Sequence, residues 1–574
     1  MYSIYGIFSP LQTKTYFYNK NGQTSECYTN EFFTYGRNNN GKFNKEKFII
    51  EQKNLICCFN GFLFDIDNYS NQKEYFKANL HEHNYVKFIS KLNGSFNGYI
   101  YLKNIKKIIL FTDHLATKKL FYSLVDNTFF FSSLLKDVTE IRKDFSELKI
   151  NLSSIYKFLA FGYMLNNETL FENIHQVPAG TILEFDCTKH SIQEIKYNSW
   201  NISKNELISP ENIIDTYEDI IHKSVKRILD INKQNNYKVV TSLSGGLDAK
   251  TVAVMLSEEY HKNFLTFTFA ESNSLDATIA QTISNNLQTE HIYYSLNNGT
   301  FLSKNVHQYI EATNGLVSIQ GSLHGYNACK NINTSEFGLH LSGQIGDVIF
   351  GSFVRPSFDI NNDYIHLSYC GLATKSIYKK TSNLYEILKN YENDRYELFS
   401  YEQRQPNGTI YGDIAVDEFF DTISPFYNKE LIQFTLSVPD KYKLNHYIHL
   451  KWLKKHHPKV LQFKLDKCNC KPNNALKVQI LKKTYGLINA IKKRFKIKYD
   501  NMNPFDIWFR ENPTILEFLQ KTYEENIDIL EFDQKLKRDV EEYFYLKSDR
   551  YKRNKFVVVT LLLSLRFHMK EGSL

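Results

Sequence analysis

The chain has 574 residues, too many for one hydrophobic core, so two or three domains are expected. Apolar residues make up 42% and aromatic residues 15%, which argues against a disordered chain. A formal net charge of +8 over this length is a mild bias rather than a nucleic-acid signature, and no block of like charge reads as a tail.

The eight cysteines form no CxxC pair, and Cys57-Cys58 and Cys468-x-Cys470 are too close for ordinary zinc spacing. Scattered thiols in a large chain suggest a reducing compartment. The opening MYSIYGIFSP has neither the basic nor the apolar region of a secretory signal. The longest apolar run, Phe556 to Leu565, is too short to cross a bilayer. The expected setting is therefore the cytoplasm, with neither nucleic acid nor membrane as partner.

Up to about Trp200 the chain alternates short apolar runs with turns. Leu55–Phe59, Gly98–Leu102, Lys107–Thr112, Thr128–Ser132 and Thr181–Phe185 are predicted strands. Asn60-Gly61 is a hairpin or turn signal. An antiparallel α+β or layered domain is expected here.

Near residue 209 the texture changes. Ser209-Pro210-Glu211 supplies an N-cap, a first-turn proline and an early acid. Ile214, Tyr217, Ile221, Val225 and Ile228 then recur at helical spacing. Lys238–Leu243 reads as a buried strand and Ala249 to about Glu258 as a helix. Phe264–Phe269 is a predicted strand, Asp276–Leu287 a helix and Gly338–Leu341 a strand. Strands alternating with helices indicate a doubly wound parallel sheet. Beyond about residue 370 the pattern is mostly helical, and Phe556–Leu565 reads as a buried closing helix.

The turn between the first of these strands and its helix is Ser242-Leu243-Ser244-Gly245-Gly246-Leu247-Asp248-Ala249-Lys250-Thr251. Ligands of doubly wound sheets sit beyond the carboxyl ends of strands, and a glycine-rich turn before a helix suits an anion. Three readings compete. A P-loop needs glycine where Ser244 and Ala249 stand, although Lys250-Thr251 follow correctly. A plain tight turn would need the glycines for geometry alone. A pyrophosphatase-type loop, Ser-Gly-Gly-x-Asp, needs Asp248 to hold Mg²⁺ on a leaving diphosphate. A second glycine-rich turn, Leu341-Ser342-Gly343-Gln344-Ile345-Gly346-Asp347, favours the third reading. Two carboxylates from neighbouring strand ends can share one metal and the phosphates it bridges.

With these two loops the sequence resembles the asparagine synthetase family. Ser244–Ala249 is similar to its SGGLDS loop and Ser342–Val348 to its S-G-[EQ]-G-x-D-E loop. Phe267-Thr268-Phe269, Asp276-Ala277, Ala280 and His291 resemble the strand and helix that follow. Pro425-Phe426 resembles R-x-P-F-L-D, with Ile423 and Asn428 in the Arg and Asp slots. The stretch from Pro458 to Lys467 resembles the one that ends in the family's catalytic lysine. In the first half, Tyr5-Gly6-Ile7-Phe8 is similar to the opening C-G-I-F and Phe59-Asn60-Gly61 to the NGE loop. Asp113 with Lys119-Leu120-Phe121-Tyr122, Phe131–Lys136, and Val177-Pro178-Ala179-Gly180 resemble three further family segments.

The resemblance implies an Ntn-like four-layer α/β/β/α domain over 1–205. It implies an α/β doubly wound ATP-pyrophosphatase domain with a helical end over 206–574. It implies ATP and Mg²⁺ as cofactors: Leu243, Phe269 and Gly343 around adenine, Ser244, Gly245, Gly246 and Asp248 on the phosphates, and Asp248 and Asp347 as metal ligands. Lys467 would stabilise the departing pyrophosphate, with Lys464 in reserve. A small-molecule, peptide or saccharide carboxylate would be adenylated and passed to an amine or ammonia, and a homodimer is allowed.

The first half departs from the family where its chemistry lies. A glutaminase of this class needs an N-terminal cysteine. Residue 2 is tyrosine, Tyr5 precedes Gly-Ile-Phe, and no cysteine occurs before Cys27. Phe62 replaces the acid of NGE, and Asn93 replaces a second acid. Glutaminase activity is therefore expected to be absent. In the second half, Gln344 replaces an acid and Ala249 a hydroxyl that helps hold diphosphate. The alternatives are a nucleotide-binding relic that acts as a partner protein, and ammonia-dependent asparagine synthesis. His456-His457 points to different sides of a helix and suggests neither metal nor nucleic acid.

Overall fold

A computed structural model of the chain describes residues 3–10, 24–30, 32–66, 68–260, 264–355, 367–368, 375–392, 395–546 and 552–569. Tyr2 therefore lies outside the described residues.

Among the described residues, the first half holds twelve strands. In chain order they begin with β1 (Ser3–Phe8), β2 (Thr24–Thr29), β3 (Phe33–Asn39), β4 (Phe48–Glu51), β5 (Leu55–Leu63) and β6 (Gly94–Leu102). They continue with β7 (Lys107–Thr112), β8 (Phe121–Val125), β9 (Thr128–Ser132), β10 (His175–Gln176), β11 (Thr181–Asp186) and β12 (Ser191–Lys196). Two six-stranded sheets result, ordered β10-β8-β9-β1-β3-β2 and β12-β11-β7-β6-β5-β4. All their pairings are antiparallel.

The strand β7, Lys-Ile-Ile-Leu-Phe-Thr, shows why these runs are continuously apolar. Ile108 and Leu110 enter the core between the two sheets, together with Phe129 and Phe131 of β9. Ile109 and Phe111 face the other way, into a core with Phe76 of α1 (Gln72–Asn79) and Phe88 of α2 (Tyr85–Lys91). On the far side Phe130 packs with Leu135, Val138 and Ile141 of α3 (Leu135–Lys143). Both sheets are covered on both faces, which gives the expected α/β/β/α layering.

One expectation fails. Asn60-Gly61 is no turn; it lies inside β5, paired with Asn97 and Phe96 of β6. Gly61 has φ +146°, and a Cβ there would come 2.1 Å from the Ser95 carbonyl oxygen. The glycine permits close strand approach rather than chain reversal.

After α4 (Leu152–Phe161) and β12, the helix α5 (Pro210–Gln234) opens the second half. The Ser209 side chain caps it by accepting from the Asn212 N–H at 3.2 Å. All five residues predicted for its inner face are buried, and each such apolar side chain contributes about 1.5–3 kcal/mol. There follow β13 (Lys238–Ser242), α6 (Leu247–Glu259), β14 (Phe264–Ala270), α7 (Leu275–Leu287), β15 (Glu290–Ser295), β16 (Phe337–Leu341) and β17 (Asp421–Ile423). They form one parallel sheet in the order β15-β14-β13-β16-β17. The order reverses between β13 and β16, so a crevice opens at their carboxyl ends. From residue 375 on, the described elements are helical except β17, and Asn554–Met569 is a buried helix.

The halves are joined by buried charge. Lys47 Nζ donates to Asp421 at 2.8 Å, Lys118 pairs with Asp417, and Lys429 Nζ donates to the Ser90 carbonyl at 2.8 Å.

Candidate active site

The two glycine-rich turns meet at the strand-order reversal. Leu243 to Gly246 follows β13, and Ser342 to Ile345 follows β16. They touch backbone to backbone: a Cβ on Gly343 would lie 2.9 Å from the Ala249 nitrogen, and one on Gly346 2.8 Å from Cγ of Asp248. Both glycines are needed for this approach. Asp248 stands in the first turn of α6, and Asp347 in the first turn of the short helix Gly346–Ile349.

The Asp347 backbone N–H faces the Asp248 carboxyl and favours its charged form. Burial, then the Asp347 charge, pushes the Asp248 carboxyl up to about 8, while Lys467 pulls it down. Asp347 is also raised by the enclosing protein, and Lys467 and Arg404 oppose the rise. Its side chain is nevertheless exposed, so water as well as protein solvates it.

Lys467 thus faces both acids, and Asp276 as well. Its loop is pinned to the first turn. Gly245 leaves room for Asp466, whose Cβ lies 2.6 Å from where a glycine substituent would be. Lys250, fully buried, donates from Nζ to the Lys464 carbonyl at 2.6 Å. Thr251 Oγ donates to the Leu247 carbonyl at 2.8 Å. The Lys-Thr pair of a P-loop is therefore turned into the protein, away from the crevice. Lys464 offers its carbonyl to Lys250, and its side chain is exposed.

Beside the acids is a cavity of about 360 Å³ lined by Leu243, Ser244, Gly246, Phe269 and Gly343 among others. The Phe269 ring lies 4.6 Å from that of His324, and Phe267 lies 5.4 Å from His340. Burial pushes His324 down to about 4 and His340 to about 3, so both are neutral at pH 7. A cavity walled by neutral flat rings suits a heteroaromatic base. Of the nine expected site residues, eight line the cavity or belong to the charged cluster. Gly245 differs: its N–H donates to Asp276 at 3.0 Å, and its place in the turn serves packing against Asp466.

Three acids carry no glycine-rich signal of their own. Asp276 rises to about 6 through burial and Asp466. Asp413 lines the cavity, accepts from Ser342 Oγ at 2.7 Å and Tyr427 at 2.6 Å, and is pushed by burial to about 6. Asp466 is flagged only by its neighbour Lys467. Gln344 is held by its amide, which donates to the Thr409 carbonyl at 2.8 Å. That carbonyl ends a wide-turned helix, Ser400–Thr409, with Pro406 inside it.

The three residues that depart from the family pattern in the first half are all engaged in packing. Tyr5 is buried in the middle of β1, opposite Gly36 and Ser132. Phe62 is fully buried, edge-on to Phe43 with centroids 5.2 Å apart. Asn93 donates to Asn428 at 3.0 Å and accepts from the Lys429 N–H at 2.8 Å. Asn428 in turn caps the helix Lys429–Ser437. The altered residues serve packing and contact between the halves.

Residues 72–198 match the family model of a glutamine amidotransferase domain, and residues 217–406 that of asparagine synthase. A putative glutamine-hydrolysing asparagine synthetase of Methanocaldococcus jannaschii is 24% identical over 336 residues, covering 55% of this chain and 62% of that protein. A glutamine-hydrolysing asparagine synthetase of Bacillus subtilis is 24% identical over 302 residues, covering 46% and 38%. The chain thus spans less than two thirds of the length of either relative. Among solved structures, glutamine phosphoribosylpyrophosphate amidotransferase from Bacillus subtilis aligns with 46% of this chain and 77% of its own, at 10% identity and a TM-score of 0.22. With a stretch that matches an amidotransferase domain followed by one that matches asparagine synthase, the chain is similar in its domain order to the asparagine synthetases.

Proposed function

We propose that the protein is an ATP-dependent amide-forming ligase without glutaminase activity of its own. On this reading residues 1–205 are the Ntn-type domain and 206–574 the synthetase domain. The observation that carries it is that Asp248, on which the charges of Asp347 and Lys467 act, lines a cavity walled by Phe269 and His324.

The donor set fits Mg²⁺. Among the described residues no group of three or more His, Cys, Asp and Glu could cage a metal. Magnesium on a nucleotide needs only one or two carboxylates and keeps water and phosphate oxygens as its other ligands. Asp248 and Asp347 supply those two, and their mutual repulsion is the kind a cation relieves. When bound, the ion neutralises charge on the diphosphate that leaves.

The chain's own groups do the rest. Leu243, Phe269 and Gly343 hold the base, and Ser244 and Gly246 lie along the phosphates. Lys467 stabilises negative charge as the substrate carboxylate oxygen bonds to the α-phosphorus of ATP and pyrophosphate departs from that phosphorus, leaving the acyl-adenylate. An amine or ammonia then attacks the acyl carbon, and AMP leaves. Gln344 is no base, so the attacking amine loses its proton elsewhere. Free ammonia or an amine within the substrate is the nitrogen source, because Phe62 and Asn93 leave no charge to grip glutamine.

Two observations favour a second reading, a nucleotide-binding relic. Ala249 lacks the hydroxyl found in the family's loop, and the Gly245 N–H is committed to Asp276. Pyrophosphate exchange into ATP with a panel of carboxylates, aspartate included, separates the two. A ligase exchanges with at least one acid, whereas a relic binds ATP and exchanges with none.

A further inference from the structure

Most surface helices turn apolar residues inward and charge outward. The helix Ala475–Arg494 does the reverse along one side: Leu476, Ile480, Leu487 and Ile491 are 70%, 63%, 63% and 49% exposed. At the α-helical rotation these four fall within about 60° of one another. Val478, Leu481 and Tyr485 lie on the opposite side and are buried or half-buried. The apolar stripe therefore points straight away from the protein, and Phe495 and Ile497, also exposed, extend it past the helix end.

The same element carries the protein's charge. Residues 475–498 contain eight Lys and Arg and no Asp or Glu. With those eight set aside, the chain's basic residues equal its 62 acidic ones, so the net charge of +8 sits here. Lys483 and Arg494 share the outward face, and Lys477 and Lys493 flank it on either side, all of them exposed.

The charge selects the occupant. A second copy would bring eight positive charges against eight, with no acid between them to pair. A flat anionic surface satisfies both parts of the pattern. Leu and Ile enter the acyl boundary, while lysines on both flanks lay their stems along it and reach phosphate headgroups. No described helix is long and apolar enough to cross a membrane, so the helix would lie in the surface plane. We infer that this face docks the protein on an anionic lipid bilayer. This departs from the expectation of no membrane partner, which rested on span length and average charge.

The element is tethered to the candidate site at both ends. Lys467 precedes it by eight residues. Beyond it, Asp500 accepts from the Leu275 N–H at 2.7 Å, and Met502 lines the cavity. Docking would therefore bring the crevice near the bilayer surface.

The test is sedimentation of the full chain with phosphatidylcholine vesicles, with and without about one third phosphatidylglycerol. The chain is expected to sediment with the anionic vesicles only, and affinity should fall about tenfold or more between roughly 0.05 and 0.5 M salt. The triple variant Ile480→Asn, Leu487→Asn, Ile491→Asn should lose about tenfold or more in affinity with its melting temperature unchanged, since all three side chains are exposed. No sedimentation with anionic vesicles would overturn the inference. So would undiminished binding by the triple variant, which would reduce the effect to charge alone. A doubled mass in light scattering that the triple variant abolishes would assign the face to a second copy instead. Capture by an acidic amphipathic peptide without vesicle binding would assign it to a protein partner.

Discussion

Gly346 packs directly against Asp248, where a Cβ would lie 2.8 Å from Cγ of the acid, so the second glycine-rich turn is built onto the acid of the first. Gly343 and Gly346 make this possible, because a side chain on either would collide with residues 248–249. Two separate strand ends thereby become one acidic site facing Lys467.

Lys467 and Lys464 are three residues apart and differ in what they face. Lys467 acts on Asp248, Asp347 and Asp276, whereas Lys464 offers its carbonyl to buried Lys250. Lys467→Ala should lower adenylation by about 10²–10³-fold, the usual loss for one transition-state donor. Lys464→Ala should stay within about threefold, since its backbone role survives the substitution. Steady-state rates of pyrophosphate release, with circular dichroism as the fold control, distinguish them.

The Asp248 carboxyl titrates in the folded protein at about 8, far above its ordinary value of 3.8. The fold therefore binds that proton more tightly than the unfolded chain does. The stability this adds is fully present below the ordinary value and is lost as pH rises through about 8. Without ligand, the melting temperature should fall between pH 5 and pH 8.5, and Asp248→Asn should flatten the fall. Added Mg²⁺ and ATP should raise the melting temperature most at the alkaline end, where the carboxylates are ionised.

His457 sits between Glu218 and Glu258, 3.0 Å from each. Burial lowers its proton affinity, but the two carboxylates outweigh burial and raise it to about 9. Its contribution is complete below about 6.5 and lost as pH passes through about 9. His457→Asn should destabilise the protein clearly at pH 6.5 and little at pH 9.5, as read from urea midpoints. His456, which instead meets Asp215 at 3.1 Å on the other side, should show no comparable loss when changed to Asn.

Ala249 lines the cavity next to Asp248. Ala249→Ser restores a hydroxyl that can donate to a phosphate oxygen. One charge-assisted hydrogen bond is worth about 1.5–3 kcal/mol, so ATP affinity or adenylation rate should improve about tenfold or more. Isothermal titration with ATP and Mg²⁺ reads the affinity directly.

Glutamine should yield no ammonia with this protein. Tyr5 lies within a strand, Phe62 packs on Phe43, and Asn93 is spent on Asn428 and Lys429. Coupled detection of glutamate from glutamine should match the rate without protein. Phe62→Glu should not restore it, because the nucleophile would still be missing.

The parallel sheet was legible because its strands alternate with helices and its turns carry glycine and aspartate at fixed offsets. Ser209, Lys238–Ser242 and Leu275–Leu287 fall within a residue or two of expectation. The short strand β17 and all four described strands before Leu55 escaped, since three- to seven-residue runs take their state from the neighbours they pair with. Asn60-Gly61 misled because glycine serves close approach as readily as reversal. In the site, Asp413 and Asp466 lack any local pattern; only the fold brings them to the cavity and its lysine. The outward face of Ala475–Arg494 was hidden for another reason. Periodicity shows that a helix has an apolar stripe, but not which way the stripe points.

The most direct test is pyrophosphate exchange into ATP, in the presence of Mg²⁺ and a panel of amino-acid, peptide and sugar carboxylates. The account predicts exchange with at least one acid, dependent on Mg²⁺ and abolished by Lys467→Ala or Asp248→Ala with the fold retained. Full ATP binding without exchange for any acid, or exchange undiminished in both variants, would contradict it.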